Sequence, residues 1–570
     1  ERSENGRFTY DSDFALFTIK AWQSDVRELK RSKVTKDKMP KDSLGIYDLK
    51  KKTVLKIPNL RNYKTPQKWS GHVAYQLEEI KVEKKAEGKA PKKVSSKNGY
   101  HVVLRNLNSG QQDTLKYVTN YSFAEEGKRF SYTTTGDEEN LPAGIYLYNL
   151  DNNSIAQVFL SEKGKFFKQT LSASGEKMAF VADLDTTKIQ VRPNGLYSWS
   201  EGMTSAEKLV DAVSAPTGYR VSSDGNISYS EDETKMYFGL ATPPIIKDTT
   251  LLDEEIVNVE VWTYDEPTLY TVQELQVNND RRKSYLTAIH LNQGNKLVQL
   301  ASTEYPNASL GNEGNASNAL INTSAPYDLE RQWTGGTRRN YAIINTSTGQ
   351  IKDALKGIRG QVRLSPAGKY AYGYNAIDSA WFTYNIASGV NVKLTKGKVF
   401  YNELNDSPDF PNAYGSPGWT EDDEALIIND RYDIWAFNPE NGSSTRITEG
   451  REAKTAYRYV RLDNEARFID NEGKWLMTTF SDDNKHSGYY QLNRKNGRGN
   501  QLLEGPYRYS RPVKAQDDEH LIFSRETFEE FPNIRYTDMA FKNEKQISDA
   551  NPQQSEYNWG TVELVDWESY

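Results

Sequence analysis

Residues 418–430 read GWTEDDEALIIND, and residues 433–448 continue DIWAFNPENGSSTRIT. An acidic turn opens this stretch and a short apolar strand follows. A second strand carries an aromatic residue, an Asn-Gly pair turns the chain, and a third strand ends on an aliphatic residue. This is the grammar of an antiparallel meander. Period-two alternation puts side chains such as Met178 and Phe180, or Tyr370 and Tyr372, on one face of a strand. Pairs such as Ser174-Gly175 and Asn441-Gly442 supply the positive φ that tight hairpins need.

The same grammar recurs along the chain. LSASGEKMAFVAD (171–183) is followed by GLYSWSEGMTSAEKLV (195–210), and LSPAGKYAYGYN (364–375) by AWFTYNIASGVNVKLT (380–395). FIDNEGKWLMTTF (468–480) is followed by SGYYQLNRKNGRGNQLL (487–503). The turn positions Asp423, Gly473 and Asp518 are spaced as one four-stranded propeller blade of about 40–50 residues requires. Weaker copies lie at 13–57, 72–115, 123–160, 230–300 (EDETKMYFGLA, later VEVWTYD), 317–355 and 515–548. The expected fold is therefore all-β, a β-propeller of four-stranded antiparallel blades. It has about 8–10 repeat units in one large ring or two, over residues 1–550. Even spacing and the aromatic strand argue against a β-sandwich or an array of separate β domains. Residues 20–41 read as a basic helical insertion between strands, and the Lys-rich residues 81–97 as a mobile, solvated loop.

Composition narrows the function. Mean hydropathy is −0.78, and no stretch approaches the roughly 20 apolar residues that cross a bilayer as a helix. Net charge is −6 with both signs interspersed, which gives no electrostatic case for nucleic acid. The chain has no cysteine, so disulfides, Cys-ligated zinc and a thiol nucleophile are excluded. It opens at Glu1 with no charged-then-apolar leader; the expectation is a removed leader or a start inside a longer chain.

The motifs of catalysis are missing. No G-x-S-x-G elbow occurs, and the five histidines (His72, His101, His290, His486 and His520) fall in different units. H-E-x-x-H, a P-loop and a dinucleotide fingerprint are also absent. Acidic runs at Glu421–Asp423, Asp482-Asp483 and Asp517–Glu519 recur at one hairpin of successive units, as turn chemistry predicts. No catalytic residue, metal or cofactor is expected within the chain.

The S-x-x-G-K turns and the aromatic strands resemble the propellers of prolyl oligopeptidase-family serine peptidases, with TolB-like propellers as the nearest alternative. The end of the chain favours the peptidases. Gln546–Pro552 resembles the family's exit from its last blade, and Val562–Tyr570 most of the strand that opens its catalytic domain. Residues 551–570 are thus expected to be a linker and first strand leading toward an α/β-hydrolase domain. Residues 38–57 resemble large exported peptidases of this family from Bacteroidota. The resemblance implies a non-catalytic propeller that gates access of short peptides to a serine exopeptidase or oligopeptidase active site. The implied partners are the hydrolase domain and peptides, and the implied location is the periplasm or cell surface. The alternative is a stand-alone envelope propeller that binds another protein. In the family some propeller carboxylates hold a substrate's N-terminus, and Glu529 and Glu530 in ETFEEF (526–531) are the candidates here. Ser43, Thr114, Thr186, Thr249 and Ser379 match the O-glycosylation signal of that phylum. The Asn-x-Ser/Thr triplets at Asn307, Asn315, Asn322 and Asn345 bear on N-glycosylation only in a eukaryotic secretory host.

Overall fold

A computed structural model describes residues 2–78, 92–137, 140–257, 259, 262–563 and 565–569. Most of the Lys-rich stretch, residues 81–91, lies outside the described residues. The chain folds as antiparallel meanders in which strands pair in sequence order. Four-stranded sheets at 165–210, 307–358, 362–393, 418–446 and 455–505 are single propeller blades. Two more, at 220–299 and 508–546, have a first strand broken into two short pieces, Arg220–Val221 with Ser228–Tyr229 and Arg508–Tyr509 with Val513–Lys514.

The first ten strands form one continuous sheet, yet it resolves into three blades. Thr53–Lys64 pairs with Asp42–Asp48 through its first half and with His72–Leu77 through its second. Gln112–Phe123 likewise joins Tyr100–Asn106 to Arg129–Thr134. Where each strand passes from one blade to the next, the register shifts, and Asn59 and Tyr117 adopt φ of 59° and 52°. Such a bulge bends and twists the strand out of one sheet into another. Pro58 sits at the first crossing, where an N–H missing from the ladder costs least. Among the described residues the total is ten blades, within the range the repeat spacing predicts. Blades 1–5 belong to a compact unit of residues 1–262 and 269–303. Blades 6–10 belong to a second, of residues 263–268 and 304–570.

Alternation along each strand serves two neighbours at once. In blade 4, Met178, Phe180 and Ala182 pack with Ile145, Leu147 and Val158 of blade 3. The intervening Ala179 and Val181 pack with Met236, Phe238 and Leu240 of blade 5. In the second unit, Tyr370 and Trp381 of blade 7 meet Trp419, Leu426 and Phe437 of blade 8. Trp419 is fully buried, stacked on Tyr370 at 5.5 Å and edge-on to Tyr372 at 5.1 Å.

Polar bonds stitch the same joints. Ser365, in the S-x-x-G-K turn of blade 7, donates its hydroxyl to the buried Asp423 of blade 8 at 2.5 Å. The backbone N–H groups of Ala367 and Lys369 reach the same carboxylate. Ser174 of blade 4 is bonded in the same way by Glu233 of blade 5, through its backbone N–H at 2.8 Å and its hydroxyl at 3.0 Å. The acidic residue of a turn thus secures the preceding blade.

Two expectations need correction. VEVWTYD (259–265) is not a strand among its described residues; the partner of Lys235–Ala241 is Tyr285–His290. Val259, Trp262 and Tyr264 are exposed and lie outside any strand, whereas Ala288 and Ile289 are fully buried. Residues 242–284 are therefore an insertion that carries the helix Tyr270–Arg281. Nor do the described residues of 562–569 form a strand. Tyr197, Trp199, Trp381 and Tyr489 are buried, but Trp435 is half-buried, its ring against Phe400 and its Nε1–H on Asp430. The basic segment does form a helix, Gln23–Arg31, between strands.

Replacing Trp419 with Ala is expected to cost about 3–5 kcal/mol, against about 1–2 kcal/mol for Trp435→Ala. Chemical denaturation midpoints of the two variants measure the difference; equal losses would contradict the packing described.

Candidate functional site

Two concave regions carry chemistry. The first lies in the first unit, where the opening strands of blades 1–4 converge on a cavity of about 1220 Å³. Its walls come from Ser3–Phe8 and from residues 60–67, 122–125 and 169–173. A first strand presents its free backbone edge here, and its side chains alternate toward the two flanking blades. From residues 60–64, Asn62 accepts from the Tyr121 hydroxyl, and Tyr63 donates to the carbonyl of Asn5 at 2.6 Å. Lys64 donates to the carbonyl of Tyr121 at 2.6 Å and stands 4.8 Å from that tyrosine's ring. The Lys64 side chain is open to the cavity, yet enough protein surrounds it that desolvation pulls its pKa below the ordinary lysine value. Deeper in the wall, Gln169 donates to Ser131 at 2.9 Å and accepts from Thr133.

The second region is at the end of the chain. Residues 547–561 fold back across the blade-10 loop and leave a cleft of about 440 Å³. Asn533 anchors the return by accepting from Ser548 at 2.9 Å and from the N–H of Ala550 at 2.7 Å. Gln554 donates to the carbonyl of Glu529, and the Trp559 indole to that of Phe528, both at 2.8 Å. Apolar surface gathers here: Phe528, Phe531 and Tyr557 are exposed and Trp559 is 51% exposed, with the Phe528 and Trp559 rings 6.1 Å apart; in the chain that follows, Val562, Val565 and Trp567 (82%) are exposed as well.

The two candidate carboxylates part company. Glu529 is exposed on the rim of this cleft, and its carboxylate has no partner among the described residues. Glu530 is gripped by two arginines: Arg525 bonds both its oxygens, at 3.0 and 3.1 Å, and Arg535 one, at 2.8 Å. Burial pushes the Glu530 carboxyl up, but the guanidinium hydrogen bonds outweigh it and the net pKa lies below the ordinary value. Bidentate pairing of this kind positions a loop and leaves little capacity for a further cation.

Other residues singled out from the sequence are scattered. Thr114, Thr186 and Thr249 are exposed, while Ser43 and Ser379 are half-buried. His520 pairs with Asp518 at 2.7 Å and His486 approaches Glu504 at 3.7 Å. His72 packs edge-on against Trp69, His101 edge-on against Tyr117, and His290 is buried in its strand. The cavity residues of the first unit escaped sequence reading because 60–64 lies past Pro58, where the strand pattern breaks. The alternation in LRNYK was the available signal.

Comparison with known proteins finds no matching family and no matching curated protein. Solved structures similar to the chain include a dipeptidyl peptidase 4 from Porphyromonas gingivalis, at 13% identity and a TM-score of 0.34. That match covers 87% of this chain and 60% of the peptidase. The β-propeller domain of the trilobed protease from Pyrococcus furiosus matches at 10% identity and a TM-score of 0.24, over 86% and 96% of the two chains. The hydrazine synthase of Kuenenia stuttgartiensis matches at 11% and 0.26, over 67% and 95%. The chain thus spans less than two thirds of the Porphyromonas peptidase.

Glu530→Gln is expected to destabilise the protein at neutral pH and to flatten its acid dependence. A depressed carboxylate contributes stability above its unfolded-state pKa, and that contribution is lost as pH falls through the folded value. Glu529→Gln should change stability by less than about 0.5 kcal/mol. Thermal midpoints measured from neutral to acidic pH check both; equal behaviour of the two variants would contradict the assignment.

Proposed function

We propose that this chain is the non-catalytic propeller of a serine oligopeptidase or exopeptidase, restricting access to an α/β-hydrolase domain to short peptides. One observation carries the reading: the exposed aromatic surface of Phe528, Phe531, Tyr557 and Trp559 where the chain leaves its last blade, followed by the exposed Trp567. Contiguous apolar patches of this kind mark protein contacts. A cavity walled by four blades, of a size that takes a few residues of extended peptide, supports the gating role. In this reading Glu529, on the cleft rim, is the carboxylate open to a peptide's ammonium. The chain is exported, and O-glycans at Thr114, Thr186 and Thr249 would sit on accessible surface.

A second reading, an envelope propeller that binds another protein, is favoured by the insertion at 242–284. Ile245, Val257 and Tyr264 are almost wholly exposed there. It requires no hydrolase domain.

Residues 1–570 are expected to remain unlabelled by a serine-directed fluorophosphonate. An activated serine needs a positioned base and an oxyanion hole. Joined to the hydrolase domain encoded by the complete reading frame, the propeller should limit cleavage to short peptides. Trp559→Ala with Trp567→Ala should relax that limit and leave turnover of a minimal ester nearly unchanged. Labelling of a serine within 1–570, or a size limit that survives the double variant, would overturn the proposal.

A further inference from the structure

Charge in the cavity of the first unit is unbalanced in a way the gating reading does not require. Four cations, Arg7, Lys20, Arg61 and Lys64, line it against two carboxylates, Asp42 and Glu125. The chain as a whole is acidic, at −6, so this surplus is local. Most of the lining charges are already answered. Lys20 pairs with Asp42 at 2.8 Å and Glu4 at 3.6 Å. Arg61 pairs with Glu78 at 3.1 Å and lies over the Tyr100 ring, and Glu125 pairs with Lys68 at 2.9 Å. Two cations are left over.

Lys64 has only a carbonyl and a ring face for company, and Arg7 has no acidic partner among the described residues. An ammonium carries three donors, and the bond to the Tyr121 carbonyl uses one of them. The strand bearing Lys64 is held against the strand bearing Arg7 by the bond from Tyr63 to Asn5, so both cations flank one cavity. Thr65 and Ser122 line the same cavity, the Ser122 hydroxyl sharing a hydrogen bond with Ser131 at 3.0 Å. A concave site lined by one sign of charge concentrates ligands of the other.

We propose that this cavity is a carboxylate-binding subsite in which Lys64 and Arg7 hold acidic peptide ligands, through Asp or Glu side chains or through a free C-terminus. The ligand class rests on the peptide reading above, but the subsite is tested without any hydrolase domain.

The test uses residues 1–570 and fluorescein-labelled tetraglutamate, with free or amidated C-terminus, followed by fluorescence anisotropy at low ionic strength. Labelled tetralysine and a free-carboxyl Gly-Ser tetrapeptide serve as comparisons. Tetraglutamate should bind about tenfold or more tighter than tetralysine, and added salt should weaken it. Lys64→Gln and Arg7→Gln should each weaken tetraglutamate by about tenfold, the cost expected for a lost charge-assisted hydrogen bond, and Lys64→Arg should restore most of it. Arg7 lies on an exposed strand, so its variant tests the subsite even if Lys64→Gln fails to fold. Binding kept on amidation assigns the side chains; binding lost on amidation, with the Gly-Ser peptide bound, assigns the C-terminus. Absence of tetraglutamate binding, or affinity indifferent to Arg7→Gln and to a folded Lys64→Gln, overturns the proposal. Either result leaves the size limit of the joined enzyme standing, since that is measured on cleavage.

Discussion

Each sheet in this protein has two faces to hide, and the packing of one blade against the next is the constraint from which the rest follows. Because successive side chains on a strand point to opposite faces, a middle strand must satisfy two different neighbours with alternate residues. Phe180 answers to blade 3 and Val181 to blade 5. That demand explains why the repeats are rich in aromatic and aliphatic residues without the alternating polar face of a one-sided sheet. It also explains the acidic turns. Where two turns meet at a blade joint, a carboxylate that accepts from backbone N–H groups and a serine, as Asp423 does, satisfies donors that the joint would otherwise bury.

The repeat was legible because its periodic parts are its most regular parts. The middle strands are continuous, six or seven residues long in most blades, and bounded by Gly, Asn or Asp turns. The first strands were the hardest to see. In blades 5 and 10 they are two-residue fragments, and in blades 2 and 3 they are the far halves of long strands that begin in the preceding blade. The segment 259–265 misled for the opposite reason. Its alternation of Val and aromatic residues has the period of a strand, but its described residues join no strand pairing, and period alone does not supply a partner.

Sites were less legible than folds for a related reason. Glu529 and Glu530 are neighbours in sequence and were indistinguishable there, yet residues five positions to either side of Glu530 separate them. Arg525 and Arg535 close on one carboxylate and leave its neighbour to solvent. Lys64 shows the reverse. Nothing in its local sequence distinguishes it from many other lysines, and its character comes from the strands around it and from the lack of an acidic partner among the described residues. Charges that matter are defined here by what the topology does or does not bring to them.

The two strands that belong to two blades each have a consequence of their own. Through Thr53–Lys64 and Gln112–Phe123, the hydrogen-bonded ladder runs without a break from Ser3 to Leu160. Parting these blades therefore means swinging a strand that both of them use about its bulge as well as separating side chains, which is not so where a loop joins two sheets. The first three blades share their strands, and one of them could not be exchanged for another without cutting a strand that its neighbour uses. Exchange of a whole repeat without cutting a shared strand is possible only at the joints that follow Leu160, where separate sheets begin.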